Sequence, residues 1–517
     1  MNIIAIKEAL KESNIEKYIT ENKTTRIVLV NGTTVAGMDV TEKFFSQIKH
    51  SNTYLDCINY HTAGKCSEII SQYFNCFVDY ITISTACSSS ANAIIVGAEM
   101  LKNNEADIVI AGGSESLSIF YLNGFNSLMI LDKEPCRPFD NNRKGINLGE
   151  GAASIVLERE DLARKRNANI FAYLTGYANT CDAFHQTASS ENGEGAFLAM
   201  NQALEKAHLK PKDIQYINAH GTGTPNNDSS ESIAIKRLFK DEIPLISSTK
   251  SFTGHTTSAS GSIESVICLL AMQENFIPAN LNFSCPMPEG ISPTLHKENQ
   301  DLQNVICNSF GFGGNDSSLI FSQKNNITTS KIINKITEDD ILTIARHEIT
   351  TEDELKEIVQ YIKPLEARRM GKSLKGAMLC SLKVLKEAKI TTPDAIIAGT
   401  DLGLWENTEN LLEQINSEGE VMLKPTYFMQ STHNTIASTI AIHTKCHGYN
   451  ITYSNGKKTF DCMLKDAKRK LLKGECKNVL LCLAEETTTL YRNFEKRIGK
   501  TESPSIHCLA LLLSCSN

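Results

Sequence analysis

Three side chains able to attack a carbonyl or move a proton stand where the chain turns out of a strand, each flanked by small residues. The first is Cys87, in the run YITISTACSSSANAIIVGAEM over residues 80–100. Ile81, Thr82 and Ile83 alternate as a short buried strand, the chain breaks at Thr85-Ala86-Cys87, and an Ala-rich run of helical period follows. A cysteine at such a turn is lifted out of the sheet, and the unpaired N–H groups of the helix start favour its thiolate. Cysteine is also among the most buried residue types, so Cys87 taken alone reads more simply as inert core. The second is His220, which the strand Tyr216-Ile217-Asn218-Ala219 delivers into NAHGTGTPNND. The third is His255, in STKSFTGHTTSASGSIESV, just ahead of a small-residue helix. Either histidine taken alone reads first as structural.

The elements that must position them alternate between strand and helix. A chain of 517 residues exceeds one hydrophobic core, so two or more domains are expected. A helix runs to about residue 15, a strand over 26–30 ends at Asn31-Gly32, and helices follow over 41–48 and 64–74. After the Cys87 strand and helix, residues 107–113 form a buried strand ending in two glycines, and 135–158 form a polar loop and an apolar strand. A second α/β stretch over 170–321 closes on NSFGFGGNDSSLIF. This alternation predicts α/β domains with largely buried sheets. Residues 322–330, SQKNNITTS, read as a linker; the charge-rich segment from there to Lys363 reads as helical, with a start at Thr351-Glu352-Asp353-Glu354.

Composition narrows the classes. A hydrophobic fraction of 41% with 21% charged residues is that of an ordinary globular protein. A net charge of -7 argues against nucleic acid as a main partner. No apolar run reaches membrane-spanning length, and the N-terminal amphipathic helix carries too many charges for a signal peptide. Sixteen cysteines without a secretory signal predict reduced thiols and a cytoplasmic location. Cys57, Cys66 and Cys76 lack metal-ligand spacing and read as core; no metal site is expected.

TACSSS, NAHGTGTP, STKSFTGH and NSFGFGG occur in that order, joined by RPFD, GEGA and the run Cys181-Asp182-Ala183-Phe184-His185. Together they resemble the elongating β-ketoacyl-acyl-carrier-protein synthases of the thiolase superfamily, over roughly residues 1–325. The resemblance implies a thiolase-like layered α/β/α/β/α fold with mixed sheets. It implies that Cys87 accepts an acyl group as a thioester, with the backbone N–H groups of Cys87 and Phe312 as oxyanion hole. It also implies that His220 and His255, as neutral donors, bind the malonyl thioester carbonyl and stabilise the enolate left by decarboxylation. Lys250 matches the family's lysine and orients the site electrostatically; Phe312 matches a phenylalanine that gates the acyl pocket. Both also have plain readings, a loop salt bridge and a core aromatic. The partner implied is an acyl carrier protein bearing phosphopantetheine, with no cofactor bound to the chain itself and a homodimer as the assembly. Thiolases proper, which use a second cysteine in a Cys-x-Gly loop, fit less well, because that region reads GFGGND and Cys307 lies in the strand-like NVICNS.

Three features depart from the family pattern. The chain starts at what resembles an internal helix, so the opening strand of the first half is missing and a sheet edge is expected to be exposed. Asn315-Asp316 stand where relatives more often have Thr and Asn, and the extra carboxylate either perturbs the histidines or faces solvent. Third, the Cys87 stretch displaced by 370 falls on itself: Ile81, Thr82, Ser84, Leu101, Glu105, Val109 and Glu115 recur as Ile451, Thr452, Ser454, Leu471, Glu475, Val479 and Glu485. A duplicated half-domain is predicted, with Lys457 at the nucleophile position. His433 and His443 read as core or surface on a helix upstream of it. The expected organisation is an N-terminal half with the nucleophile (1–160), a second half with the two histidines (161–325), and a partial synthase-like domain (331–517). The expected activity is decarboxylative Claisen condensation giving a 3-oxoacyl-carrier protein. The competing reading is a non-catalytic scaffold or chain-length partner of another synthase.

Overall fold

A computed structural model of the chain describes residues 1–325 and 337–515, which gather into two compact units. The first holds residues 1–33, 67–116 and 129–325, and the second holds 34–66, 117–128 and 337–515. Of the linker expected over 322–330, residues 326–330 lie outside the described residues. No helix among the described residues is long and apolar enough to cross a membrane.

The first unit contains two sheets. In one, β1 (Ile27–Gly32) lies parallel to both β2 (Asp79–Ile83) and β3 (Ile108–Glu115), and β4 (Gly151–Glu158) runs antiparallel to β3. The other has the order β5-β11-β10-β6-β7, from β5 (Tyr173–Cys181), β6 (Tyr216–Asn218), β7 (Leu245–Ser247), β10 (Asn304–Gly311) and β11 (Asn315–Ser322). A two-stranded ribbon, β8 (Phe276–Ile277) with β9 (Glu298–Asn299), stands apart. Between the sheets lie the helices Ser89–Lys102 and Ser260–Glu274. Small residues let these two helices approach. A Cβ on Gly261 would come within 2.7 Å of the Ala91 backbone, and the Ser262 N–H donates to Ser90 Oγ at 2.9 Å. All of Ser89–Lys102 except Lys102 is buried, which is why the stretch reads as apolar around its whole circumference. Full burial of Ile94, Ile95 and Leu101 contributes about 1.5–3 kcal/mol each. Helices Glu194–Ala207 and Pro225–Phe239 cover the five-stranded sheet, with Met200, Ala203, Ile235 and Phe239 in one core cluster with Ile217 and Ile306.

The second unit carries one five-stranded sheet in the order β12-β16-β15-β13-β14, from β12 (Ile341–Ile349), β13 (Ala395–Gly399), β14 (Tyr449–Tyr453), β15 (Asn478–Glu486) and β16 (Ile506–Cys515). Its strand directions repeat those of β5-β11-β10-β6-β7: antiparallel for the first two pairs, parallel for the last two. The four strands of the first sheet repeat the last four of this order, so β4 occupies the place of β16 and has β3 as its neighbour on one side only within its unit. The predicted duplication is visible. β2 and β14, and the helices Ser89–Lys102 and Thr459–Leu472, are displaced by 370 residues at both ends. Even a side-chain bond recurs, Thr33 Oγ1 to Glu115 and Thr400 Oγ1 to Glu485, each at 3.3 Å.

Two readings need correction. The segment expected to be helical up to Lys363 instead contains strand β12, paired antiparallel with β16, and its described helical parts are two 3₁₀ runs, Glu338–Asp340 and Asp353–Gln360; residues 331–336 lie outside the described residues. The charges misled: on an end strand they alternate outward, so a polar-rich run still fits a pleated partner. Of the three cysteines taken as core, Cys57 is buried, whereas Cys66 and Cys76 are half-buried.

Candidate active site

Cys87 sits in the single 3₁₀ turn Ala86–Ser88 that joins β2 to helix Ser89–Lys102. Ala86, just before it, has φ of 51°, a left-handed backbone that costs a β-carbon-bearing residue about 1–2 kcal/mol. The strain is held by the buried side chains around the turn: Ser89 Oγ donates to the Ala86 carbonyl at 2.7 Å and accepts the Thr85 N–H at 2.9 Å. The glycine loop closes over the sulfur from the other sheet. A Cβ on Gly311 would come to 3.0 Å from the Thr85 carbonyl and 3.2 Å from the Cys87 nitrogen, so glycine lets the loop approach this closely without displacing the turn.

His255 Nε2 lies 3.1 Å from Cys87 Sγ, and its Nδ1 lies 3.0 Å from Ser260 Oγ. The His220 ring stands edge-on to His255 with centroids 5.3 Å apart, and His220 Nδ1 is buried without a hydrogen-bond partner. Residues 133 and 168 positions from the cysteine are thus brought to one point. Burial holds both imidazoles well below their ordinary pKa, with Lys250 adding to the effect on each. They are neutral, as expected for donors to a developing oxyanion. The thiol departs from expectation. Burial pushes Cys87 up to about 11, against the opposing pull of the Phe312 and Cys87 backbone N–H groups and of Lys250. The helix start therefore does not leave a resting thiolate, because desolvation outweighs it. Those two N–H groups nevertheless converge on the sulfur, which is the placement an oxyanion hole needs.

Lys250, 1% exposed, forms an ion pair with Glu264 at 2.5 Å. The plain reading of a salt bridge is thus met, with a partner on helix Ser260–Glu274 and both side chains buried. Glu264 escaped the sequence reading because a lone glutamate in SGSIESV looks like the polar face of a helix; its neighbours at this position are Cys268 and Ser265, all buried. Glu231 escaped it too. Its carboxylate accepts the His220 N–H at 2.9 Å and the Gly221 N–H at 2.8 Å, so it fixes the turn that carries His220. Phe312 is half-buried on the loop over Cys87. Asp316 does not face solvent: it is 6% exposed, sharing a small cavity with Asp182 and Glu231.

Burial, with Asp182 and Glu231 adding to it, raises Asp316 well above the ordinary carboxyl range, and burial lifts Glu231 to about 7. A raised folded-state pKa means the folded form holds the proton more tightly, so the associated stability is present at low pH and falls as pH rises through that window. Asp316→Asn is expected to be matched to wild type below about pH 4 and to gain on it above that, by up to about 1.4 kcal/mol per pH unit until Asp316 ionises. Urea unfolding of both proteins from pH 4 to 8 reads the difference and cancels the opposite trend of the buried histidines. A gap that stays flat or reverses with pH overturns the assignment.

The model described as "Beta-ketoacyl synthase, N-terminal domain" matches residues 1–163, "Beta-ketoacyl synthase, C-terminal domain" matches 171–284, and a second N-terminal-domain model matches 342–517. The 3-oxoacyl-[acyl-carrier-protein] synthase 2 of Vibrio harveyi is 35% identical over 335 residues, 61% of this chain and 79% of that one. Among solved structures, the ketosynthase (ApeO) in complex with its chain length factor (ApeC) from Xenorhabdus doucetiae is 32% identical, with a TM-score of 0.54 over 62% of this chain and 81% of that one. The PfaC keto synthase-chain length factor aligns with 99% of this chain and 68% of its own at a TM-score of 0.81; at 18% identity this is a likeness of fold. The fold is the thiolase-like one expected, here with a second N-terminal-type domain.

Proposed function

The chain belongs to the β-ketoacyl synthase family, and from that premise we propose that its first unit performs the whole condensing reaction, with Cys87, His220 and His255 as its reacting groups. It is an acyltransferase of the 3-oxoacyl-acyl-carrier-protein synthase type. The observation that carries the assignment of residues is the 3.1 Å contact of Cys87 Sγ with His255 Nε2, beside a second neutral, buried histidine.

In the first half-reaction the Cys87 sulfur attacks the acyl thioester on a carrier protein. With Ser260 Oγ donating to its Nδ1, His255 keeps a proton on Nε2 that faces the sulfur, and the Cys87 thiol proton passes to the departing carrier sulfur. The carbonyl oxygen takes negative charge against the Cys87 and Phe312 N–H groups, the carrier thiolate leaves with a proton, and Cys87 keeps the acyl group. In the second, malonyl-carrier protein loses carbon dioxide. Its thioester oxygen takes the charge between His220 and His255, and the enolate carbon attacks the Cys87 acyl carbon. The carbon–sulfur bond breaks, the Cys87 sulfur leaves as thiolate and takes up a proton from solvent, and the 3-oxoacyl chain departs on the carrier. Phe312, half-buried over the nucleophile, is the gate to the acyl pocket. The partner is an acyl carrier protein whose phosphopantetheine supplies the thioester, in a cytoplasmic fatty-acid or polyketide-type pathway, with a homodimer as the assembly.

The second unit supports a silent role, because Lys457 stands on the 3₁₀ turn Gly456–Lys458 that corresponds to Ala86–Ser88. We assign it as a built-in chain-length partner. Incubating the protein with hexanoyl- and malonyl-carrier protein is expected to give 3-oxooctanoyl-carrier protein and carbon dioxide. Folded protein that takes no acyl group from any of several chain lengths overturns the assignment in favour of a scaffold.

A further inference from the structure

His255 is neutral, held so by burial and by Lys250, and its ring therefore carries one proton, on Nδ1 or on Nε2. The two tautomers do different chemistry toward the sulfur that lies 3.1 Å from Nε2. With the proton on Nε2, the ring is a donor and can hold a thioester oxygen as that oxygen gains charge. With the proton on Nδ1, Nε2 is a bare acceptor. It can then take a proton from the thiol but cannot steady an enolate. Which form is present follows from where the neighbouring hydroxyl protons have to go.

Those hydroxyls form a short chain. Ser260 Oγ lies 3.0 Å from His255 Nδ1 and 3.3 Å from Thr256 Oγ1, and all three residues are buried. Among the described residues, Ser260 Oγ is the one hydrogen-bond partner of Thr256 Oγ1. A buried hydroxyl proton without an acceptor is costly, so Thr256 donates to Ser260. The Ser260 proton then has one acceptor within reach, His255 Nδ1, and a nitrogen that accepts cannot also carry the ring proton. Nothing else claims the Ser260 hydroxyl. Helix Ser260–Glu274 follows the 3₁₀ turn Thr257–Ala259 as helix Ser89–Lys102 follows Ala86–Ser88, and Thr257 repeats the left-handed backbone of Ala86, φ 45° against 51°. The matching serine, Ser89, serves its own turn, donating to the Ala86 carbonyl and accepting the Thr85 N–H. Ser260 has neither bond among the described residues; its hydroxyl goes to the imidazole instead. We propose that Ser260, directed by Thr256, is the positioning residue that fixes His255 as a donor, committing it to the malonyl half-reaction and away from a base's role toward Cys87. The inference rests on the condensing reaction proposed above for the same site.

Two measurements test it, and one needs no turnover. In the full chain labelled with nitrogen-15 histidine, His255 is identified by the signals that His255→Ala loses. It is expected to show a protonated Nε2 and a bare Nδ1 at pH 7. Carbon dioxide release from malonyl-carrier protein and acylation of Cys87 are then measured separately. Ser260→Ala is expected to slow carbon dioxide release about tenfold, the factor one hydrogen bond supplies, while acylation slows less than about threefold. Thr256→Val, which frees the direction of the Ser260 proton, is expected to shift the ratio of the two rates the same way by about threefold. Thr256→Ser keeps the hydroxyl and is expected to restore the ratio. A serine that served only the fold would slow both rates together. If Ser260→Ala does not fold, Thr256→Val and the wild-type spectrum carry the test. The inference is overturned if wild-type His255 carries its proton on Nδ1, or if the folded variants slow the two rates by equal factors. If the wild type performs neither half-reaction, the proposed function fails, and the spectrum alone decides the tautomer.

Discussion

Replacing Cys87 with alanine is expected to eliminate the acyl adduct and to lower 3-oxoacyl product formation by about 10⁴-fold or more, the scale on which enzymes lose rate when the nucleophile goes. The sulfur is the atom that stores the acyl group between the two half-reactions, and His255 Nε2 contacts Cys87; the first unit's other buried thiols lie elsewhere, Cys136 against the Lys250 carbonyl and Cys181, Cys268 and Cys307 within strands and a helix. Alanine removes one small buried atom from a turn fixed by Ser89, so the fold is expected to survive with a loss near 1 kcal/mol. The enolate-stabilising pair is untouched. Malonyl-carrier protein should therefore still lose carbon dioxide on the variant, giving acetyl-carrier protein, while His220→Ala and His255→Ala should lose this activity. Intact-protein mass after exposure to acyl-carrier protein, set beside carbon dioxide release from malonyl-carrier protein alone, separates the roles. An adduct on Cys87→Ala, or equal loss of both activities in all three variants, contradicts the division of labour argued from the geometry.

What could be read from the chain, and what could not, divides along physical lines. Cys87, His220 and His255 each read locally as core or structural, and only the ordered set of motifs that resembles the β-ketoacyl synthases singled them out. The duplicated half was legible locally: β14, its turn and helix Thr459–Leu472 repeat the same grammar at a constant displacement. Burial is not local. Whether Cys87 rests as thiol or thiolate depends on how much water the second sheet excludes, and the helix-start argument alone gave the wrong sign. Glu264 and Glu231 look like surface residues in sequence, yet their partners, Lys250 and the His220 turn, arrive from segments 14 and 11 residues away through tertiary packing. Strand β12 was missed because its partner β16 lies at the other end of its unit, where no window of sequence could reveal it.

Glu264 is where that hidden packing carries the second large effect. Glu264→Ala is expected to destabilise the first unit by about 3–5 kcal/mol, because it leaves the Lys250 ammonium buried with no counter-charge. The pair is a poor stabilising device to begin with: Glu264 Oε2 is buried without a hydrogen bond, and burial pushes the carboxyl up against the pull of Lys250. An apolar pair of like volume should therefore hold the fold nearly as well. Lys250→Met with Glu264→Leu is expected to recover most of the stability lost in Glu264→Ala, as urea unfolding measures it. Activity should not recover. Lys250 helps keep His220 and His255 neutral and draws the Cys87 thiol down, so removing its charge should raise the pH at which acyl loading becomes fast even in a stable protein. If the double variant is as stable as wild type and loads acyl groups with the same pH profile, Lys250 serves the fold alone. A shifted profile at restored stability identifies it as the residue that sets the electrostatics of the condensing site.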